Sequence, residues 1–217
     1  MSTTHVNRDD VERRLDRLRE EYGEFAVVEC DELVPGERFD RLHEHAREGY
    51  TGGGYAWIVR GPDDAPALAD SMPADAHEAG PVVCMILSRG DDDRWGIPGG
   101  GRETGETYEA ATIREVREEV GLEVELGSPF LAYRATHEPD DGRAVRLHTL
   151  WVCFDAGYAS GHLEILPGEL RGAAWLAEPP RSLGPFGQFR GTEWWDDYEP
   201  AEPWWENPEP NPYDPGN

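Results

Sequence analysis

GGRETGETYEAATIREVREEVGL, residues 100–122, is the stretch on which the rest of the chain turns. Gly100, Glu106, Arg114, Glu115, Val116, Glu118, Glu119, Gly121 and Leu122 follow the spacing G-x5-E-x7-R-E-U-x-E-E-x-G-U, where U is apolar. Thr107 is an N-cap residue type and Gly121 a C′ type, so the stretch predicts a helix over 108–120. Glu115, Glu118 and Glu119 fall at i, i+3 and i+4 on that helix and share one face. Like charges so placed repel by about 0.2–0.5 kcal/mol a pair. A helix that only packs has no reason to collect them, whereas a divalent cation turns the repulsion into attraction. Ligands that are all oxygen suit Mg²⁺ or Mn²⁺, and Mg²⁺ keeps waters and substrate phosphate oxygens in its shell. Ile113, Val116 and Val120 lie opposite and are expected to pack against a sheet. Gly99, Gly100 and Gly101 allow a turn closed to residues with a Cβ, which brings the backbone close to ion and phosphate. Arg114 can hold a carboxylate through a bidentate pair. The rival is a solvated acidic face, as in 9–24, 103–109 and 196–209, but those runs lack the fixed Gly, Arg and apolar positions.

This pattern resembles the Nudix box, complete across 100–122. Trp95 to Gly100 resembles the strand and loop that lead into such a box, and a looser similarity runs over 54–180. The resemblance implies an α+β fold, a Nudix-type α/β/α sandwich with a mixed sheet. It implies a metal-dependent enzyme that hydrolyses the diphosphate linkage of a nucleoside diphosphate joined to another moiety, ADP-ribose or a related nucleotide sugar among them. Pro139 stands near a proline of ADP-ribose-cleaving relatives. Carried over residue by residue, Glu115, Glu118 and Glu119 are metal ligands and catalytic, with the Gly100 carbonyl as an occasional ligand. Arg114 orients them, and Glu106 supports the metal site or the loop. Glu169, just before a Trp-containing strand, joins the metal site or acts as base; a loop acid is the other reading. Rival functions are a module that senses a nucleotide without cleaving it, an enzyme of this fold acting on a non-nucleotide diphosphate, and an acidic scaffold working through its tail.

Working outward, 217 residues suffice for one well-buried domain with extensions. Hydrophobic residues at 38%, including 8 Trp and 8 Tyr, supply a core and argue against wholesale disorder. No apolar run is long enough to span a membrane, and MSTTHVNRDDVERR lacks the apolar stretch of a secretion signal, so a cytoplasmic protein is expected. Cys30, Cys84 and Cys153 are widely spaced and read as small buried hydrophobes, neither a disulfide framework nor a zinc site. The net charge is −25, and all 20 basic residues are Arg, with no Lys. Such a surface repels nucleic-acid backbones and anionic membranes, so neither is expected as a partner; the resemblance implies a small nucleoside diphosphate derivative instead. The composition also resembles proteins of salt-loaded cytoplasms, in which dense carboxylates keep the surface hydrated.

Three segments are expected. Residues 1–50 form an N-terminal extension: a helix over 7–22, a strand over 26–30 and a second helix from Pro35 to Gly49, serving in packing or as a homodimer contact. Residues 51–183 form the hydrolase domain, with Gly52-Gly53-Gly54 as its boundary and strands at 55–60, 81–89, 123–126, 129–136, 145–154 and 173–177. Residues 184–217 are an acidic Pro/Trp-rich tail, expected to be irregular because proline at this density breaks helix and strand alike. Its Trp194, Trp195, Trp204 and Trp205 can dock on the domain, on a partner or over a substrate base. His137 and His148 flank a loop as acid/base groups or as surface histidines. Arg89, Arg102, Arg134 and Arg146 are offered as phosphate contacts.

Overall fold

The computed structural model describes residues 3–64, 80–89, 93–165, 168, 170–206 and 208. In chain order the strands are β1 (Thr4–His5), β2 (Ala26–Val34), β3 (Gly52–Arg60), β4 (Val82–Ser88), β5 (Gly99–Gly101), β6 (Leu122–Pro139), β7 (Val145–Gly161) and β8 (Leu170–Leu176). The helices are α1 (Arg8–Tyr22), α2 (Gly36–Arg47), α3 (Tyr108–Val120) and α4 (Pro185–Trp194). The sheet runs β2-β6-β7-β3-β4-β8, with β5 against β3 and β1 against β7. Pairing is parallel for β2–β6 and β3–β7 and antiparallel for β6–β7, β3–β4 and β4–β8, so the sheet is mixed as expected.

Side chains alternate across a strand, and the clusters follow that period. One face carries Ala132, Leu150, Val152 and Phe154 against Val11, Leu15 and Leu18 of α1 and Tyr108 of α3. The same face continues as Ala56, Ile58 and Ile86 against Val116 and Val120 of α3. The other face carries Tyr55, Trp57, Tyr133, Trp151 and Cys153 under Phe186 of α4 and under Trp195 and Trp204 beyond it. Phe39 and Leu42 of α2 pack on Val34 and Leu147 beside them. Helices thus cover both faces, and the layers are α/β/α. Cys84 and Cys153 are buried among these strands and Cys30 is half-buried, all three as free thiols.

Several boundaries differ from the sequence expectation. The two short strands expected at 123–126 and 129–136 are one, β6, carried past irregularities at Leu126–Leu131 by its partner β7. The expected boundary Gly52-Gly53-Gly54 instead forms the first three residues of β3, buried in mid-sheet. A Cβ on Gly53 would overlap the Gly100 carbonyl, and one on Gly54 would overlap the Thr112 hydroxyl of α3. Close approach of three elements, not a break in the chain, is what the triplet serves. β2 is longer than expected, and its pairing with β6 from Ala26↔Leu131 to Val34↔Pro139 makes it the sheet's edge.

Among the described residues the tail after Trp194 is irregular but for a single 3-10 turn at Trp204–Glu206, while its first turns are helical, contrary to the expectation that proline excludes a helix there. Pro185 occupies the helix start, where its missing N–H is no loss. Burial does the rest: Trp204 packs 5.0 Å from Tyr133 and 5.5 Å from Phe186, and Trp195 lies 5.3 Å from Trp57.

Candidate active site

α3 begins and ends as its sequence dictates. The Thr107 side chain accepts a hydrogen bond from Ala110 N at 3.1 Å, and Gly121 terminates the helix in the left-handed region at φ 70°. Tyr108, Ala111, Thr112, Val116 and Val120 are buried, while Ile113, expected in that set, is only half-buried. Beside them Glu115 and Glu119 reach the β5 loop, which β3 holds in register as Gly53↔Gly101, Gly54↔Gly100 and Tyr55↔Gly99.

The three carboxylates sit at graded depth. Glu119 is buried and accepts a hydrogen bond from Gly99 N at 2.8 Å. Glu115 lies against Gly100, where a Cβ would stand 2.5 Å from its Oε2. Glu118 is the outermost, its side chain 54% exposed. Arg114 binds two of them, Glu115 and Glu118. Its Nε and Nη2 donate to Glu106 Oε1 and Oε2, each at 2.9 Å, and Nη2 also donates to the Gly101 carbonyl at 2.9 Å. Its Nη1 donates to Glu115 Oε1 at 2.7 Å and Glu118 Oε2 at 3.2 Å. The bidentate pair expected of Arg114 is therefore made with Glu106. Bonding to Arg114 in turn holds the Glu106 carboxyl below the usual range, and bonding to Glu106 raises the guanidinium further above its ordinary value.

Among the described residues, no three His, Cys, Asp or Glu side chains stand together at metal-ligating separation. The positive charge between Glu115 and Glu118 is that of Arg114. The residues nonetheless fit a hard divalent cation on two counts. The donors are carboxylate oxygens, and Gly100 leaves beside Glu115 a space that any side chain would fill. The carbonyl of Gly100 lies so close to Gly53 that a Cβ there would overlap it.

Of the other sequence candidates, Arg134, Arg146 and His148 line one cleft together with His5 and Arg8. Glu169 lies outside the described residues. His137 and His148, whose surface reading is overturned, are 1% and 3% exposed. His137 Nδ1 lies 3.1 Å from Glu32 Oε2 and its Nε2 2.9 Å from the Thr149 hydroxyl. His148 Nε2 lies 2.8 Å from His5 Nδ1. Burial, together with the neighbouring His5, pushes His148 down to about 4, so it is neutral at pH 7. Arg134 pairs with Glu12 and Glu29, Arg146 with Glu138, and Arg89 donates to the Leu170 carbonyl. Arg102, also offered as a phosphate contact, is buried with its guanidinium turned onto backbone carbonyls. Sequence reasoning missed Thr51, Tyr50 and Gly49, which meet the box from the N-terminal side; nothing in their local spacing signals it.

Comparison with known proteins places a NUDIX domain on residues 75–180, just under half of the chain. Among solved structures, the chain is similar to a MutT NUDIX hydrolase from Burkholderia pseudomallei, at 22% identity over 59% of this chain and 90% of that one, TM-score 0.36. It is also similar to an ADP-ribose pyrophosphatase from Streptococcus suis, at 13% identity over 60% of this chain and 78% of that one, TM-score 0.35. A UDP-X diphosphatase matches at 14% identity over 81% of this chain and 71% of that one, TM-score 0.39.

Proposed function

We propose that this chain, with a NUDIX domain over 75–180, is a hydrolase that uses a divalent cation to cleave the diphosphate linkage of a nucleoside diphosphate joined to a second moiety. One observation carries the reading: Glu115 and Glu119 of α3 both close on the β5 glycine loop, one against Gly100 and the other on Gly99 N. Glu115, Glu118 and Glu119 would hold Mg²⁺ or Mn²⁺. The Gly100 carbonyl would join that set as an occasional ligand. When bound, the cation would supply Lewis acidity to the phosphate oxygens and acidify an attacking water.

The chain's own residues do the remainder. Arg114 spaces Glu115 and Glu118 and fixes them to the loop through Gly101 and Glu106. Gly99 N holds Glu119 in place through its hydrogen bond. One of these carboxylates accepts the proton of the water as its oxygen attacks phosphorus and the bridging P–O bond breaks. Glu169 remains a proposed ligand or base on the resemblance alone. ADP-ribose and related nucleotide sugars head the substrate classes, with non-nucleotide diphosphates as the second reading. The salt-adapted origin and the cytoplasmic setting stay part of the proposal; among the described residues no helix is long and apolar enough to cross a membrane.

The test is release of phosphate-containing products, a nucleoside monophosphate and the phosphorylated second moiety, from a panel of ADP-ribose, sugar nucleotides and dinucleoside polyphosphates, with Mg²⁺ or Mn²⁺ in molar KCl. Glu118→Gln, a near-isosteric change at an exposed site, should abolish metal-dependent turnover and leave the fold intact. Wild-type rates from that variant would remove the box from the chemistry.

A further inference from the structure

Arg102 is 2% exposed in a chain whose basic residues are otherwise largely paired with carboxylates at the surface. Its own partners are neutral. Nη1 donates to the Glu103 and Glu106 carbonyls at 2.6 and 3.1 Å, Nη2 to the Gly49 carbonyl, and Nε to the Thr51 hydroxyl at 3.1 Å. Desolvation lowers its pKa, the mark of a cation held where it is costly.

Two of those acceptors lie in the loop that joins β5 to α3, and two lie in the turn between α2 and β3. The same seam is closed by Arg102 N on the Gly52 carbonyl at 3.0 Å and by the Thr104 hydroxyl on the Glu48 carbonyl. Tyr108, the first residue of α3, donates its hydroxyl to Thr51 as well, at 3.0 Å to the carbonyl and 3.1 Å to Oγ1. Only a rigid fork of donors reaches so many acceptors at once, and lysine, with one ammonium, does not. The seam then leads to the acidic face. Arg102 holds the backbone of Glu106, the Glu106 carboxylate holds Arg114, and Arg114 holds Glu115 and Glu118.

We propose that Arg102 is a positioning residue that ties the 99–106 loop, and through Glu106 and Arg114 the carboxylates of α3, to the Glu48–Gly52 turn. The N-terminal segment thereby becomes part of the catalytic apparatus. This rests on the function proposed above for the α3 carboxylates.

The experiment uses the full chain in molar KCl, with Arg102→Lys and Thr51→Val. It reads Mn²⁺ affinity by paramagnetic resonance, backbone hydrogen exchange, and the melting temperature. Arg102→Lys is expected to fold and bind Mn²⁺ about tenfold more weakly, the range found for residues that orient metal ligands. Exchange should quicken in 48–52 and 99–106 while β6 and β7 stay protected. Thr51→Val should shift the same quantities in the same direction by less. Unchanged Mn²⁺ affinity and unchanged exchange in folded Arg102→Lys overturn the proposal, as does a lowered melting temperature with exchange raised uniformly. Should Arg102→Lys fail to fold, Thr51→Val decides by the same readings. If the wild-type chain binds no Mn²⁺, the proposed function falls, and the exchange comparison still settles whether Arg102 holds the loop.

Discussion

Consider a chain ending at Gly184. From the sequence, an enzyme whose chemistry lies in 100–122 should still hydrolyse without the tail, although the tail's tryptophans could also dock on the domain. The structure shows the docking, and truncation therefore costs stability. Truncation removes Phe186, Trp195 and Trp204, which are 3%, 8% and 8% exposed, and uncovers Trp57 and Tyr133 beneath them. A buried aromatic or aliphatic side chain contributes about 1.5–3 kcal/mol, so three contribute roughly 5–9 kcal/mol before the uncovered rings are counted. Whole domains are stable by only about 5–15 kcal/mol. At about 2–4 °C per kcal/mol for a chain of this size, the melting temperature should fall by roughly 10–35 °C, or the transition should lose its cooperativity. Calorimetry on the intact and truncated chains in molar KCl measures this directly. A truncated chain melting cooperatively within about 5 °C of the intact one would refute the claim that the tail completes the core.

Three further outcomes follow from the site and its surroundings. Glu118→Gln should keep the fold and lose metal-dependent turnover, by chromatography of the phosphate-containing products and circular dichroism together. Gly100→Ala places a methyl 2.5 Å from Glu115 Oε2, so the flexible carboxylate must move; turnover should fall about a hundredfold with little change in melting temperature. His148, ordinarily 6.5, is pushed down to about 4 when folded, so the unfolded chain binds the proton more readily in that window. Stability should therefore fall as pH drops from 7 to 5, by about 2 kcal/mol, and His148→Gln should abolish that part of the slope in denaturant titrations at the two pH values. A slope unaltered by the substitution would contradict the burial of this imidazole.

The α3 helix was legible to the residue because its signals are local. Thr107 caps a donor three residues on, Gly121 supplies the left-handed exit, and the acid spacing follows one helical turn. α1 was legible for the same reason: Val11, Leu15 and Leu18 recur at helical spacing and all are buried. The strands were found but their ends were not, since β6 and β7 extend each other by cross-strand pairing that neither segment encodes alone.

What the sequence by itself determined is the acidic helix, its Arg and Gly company and the resemblance they carry, all properties of a few neighbouring residues. Tertiary structure alone decided which polar groups are inside: His137 on Glu32, His148 on His5, and Arg102 across the seam to Gly49 and Thr51. It also decided that the Gly52–Gly54 triplet is a close-packed strand and that the proline-rich tail folds its tryptophans onto the sheet. Burial depends on what distant segments place overhead, and a buried arginine or histidine looks in sequence like any exposed one.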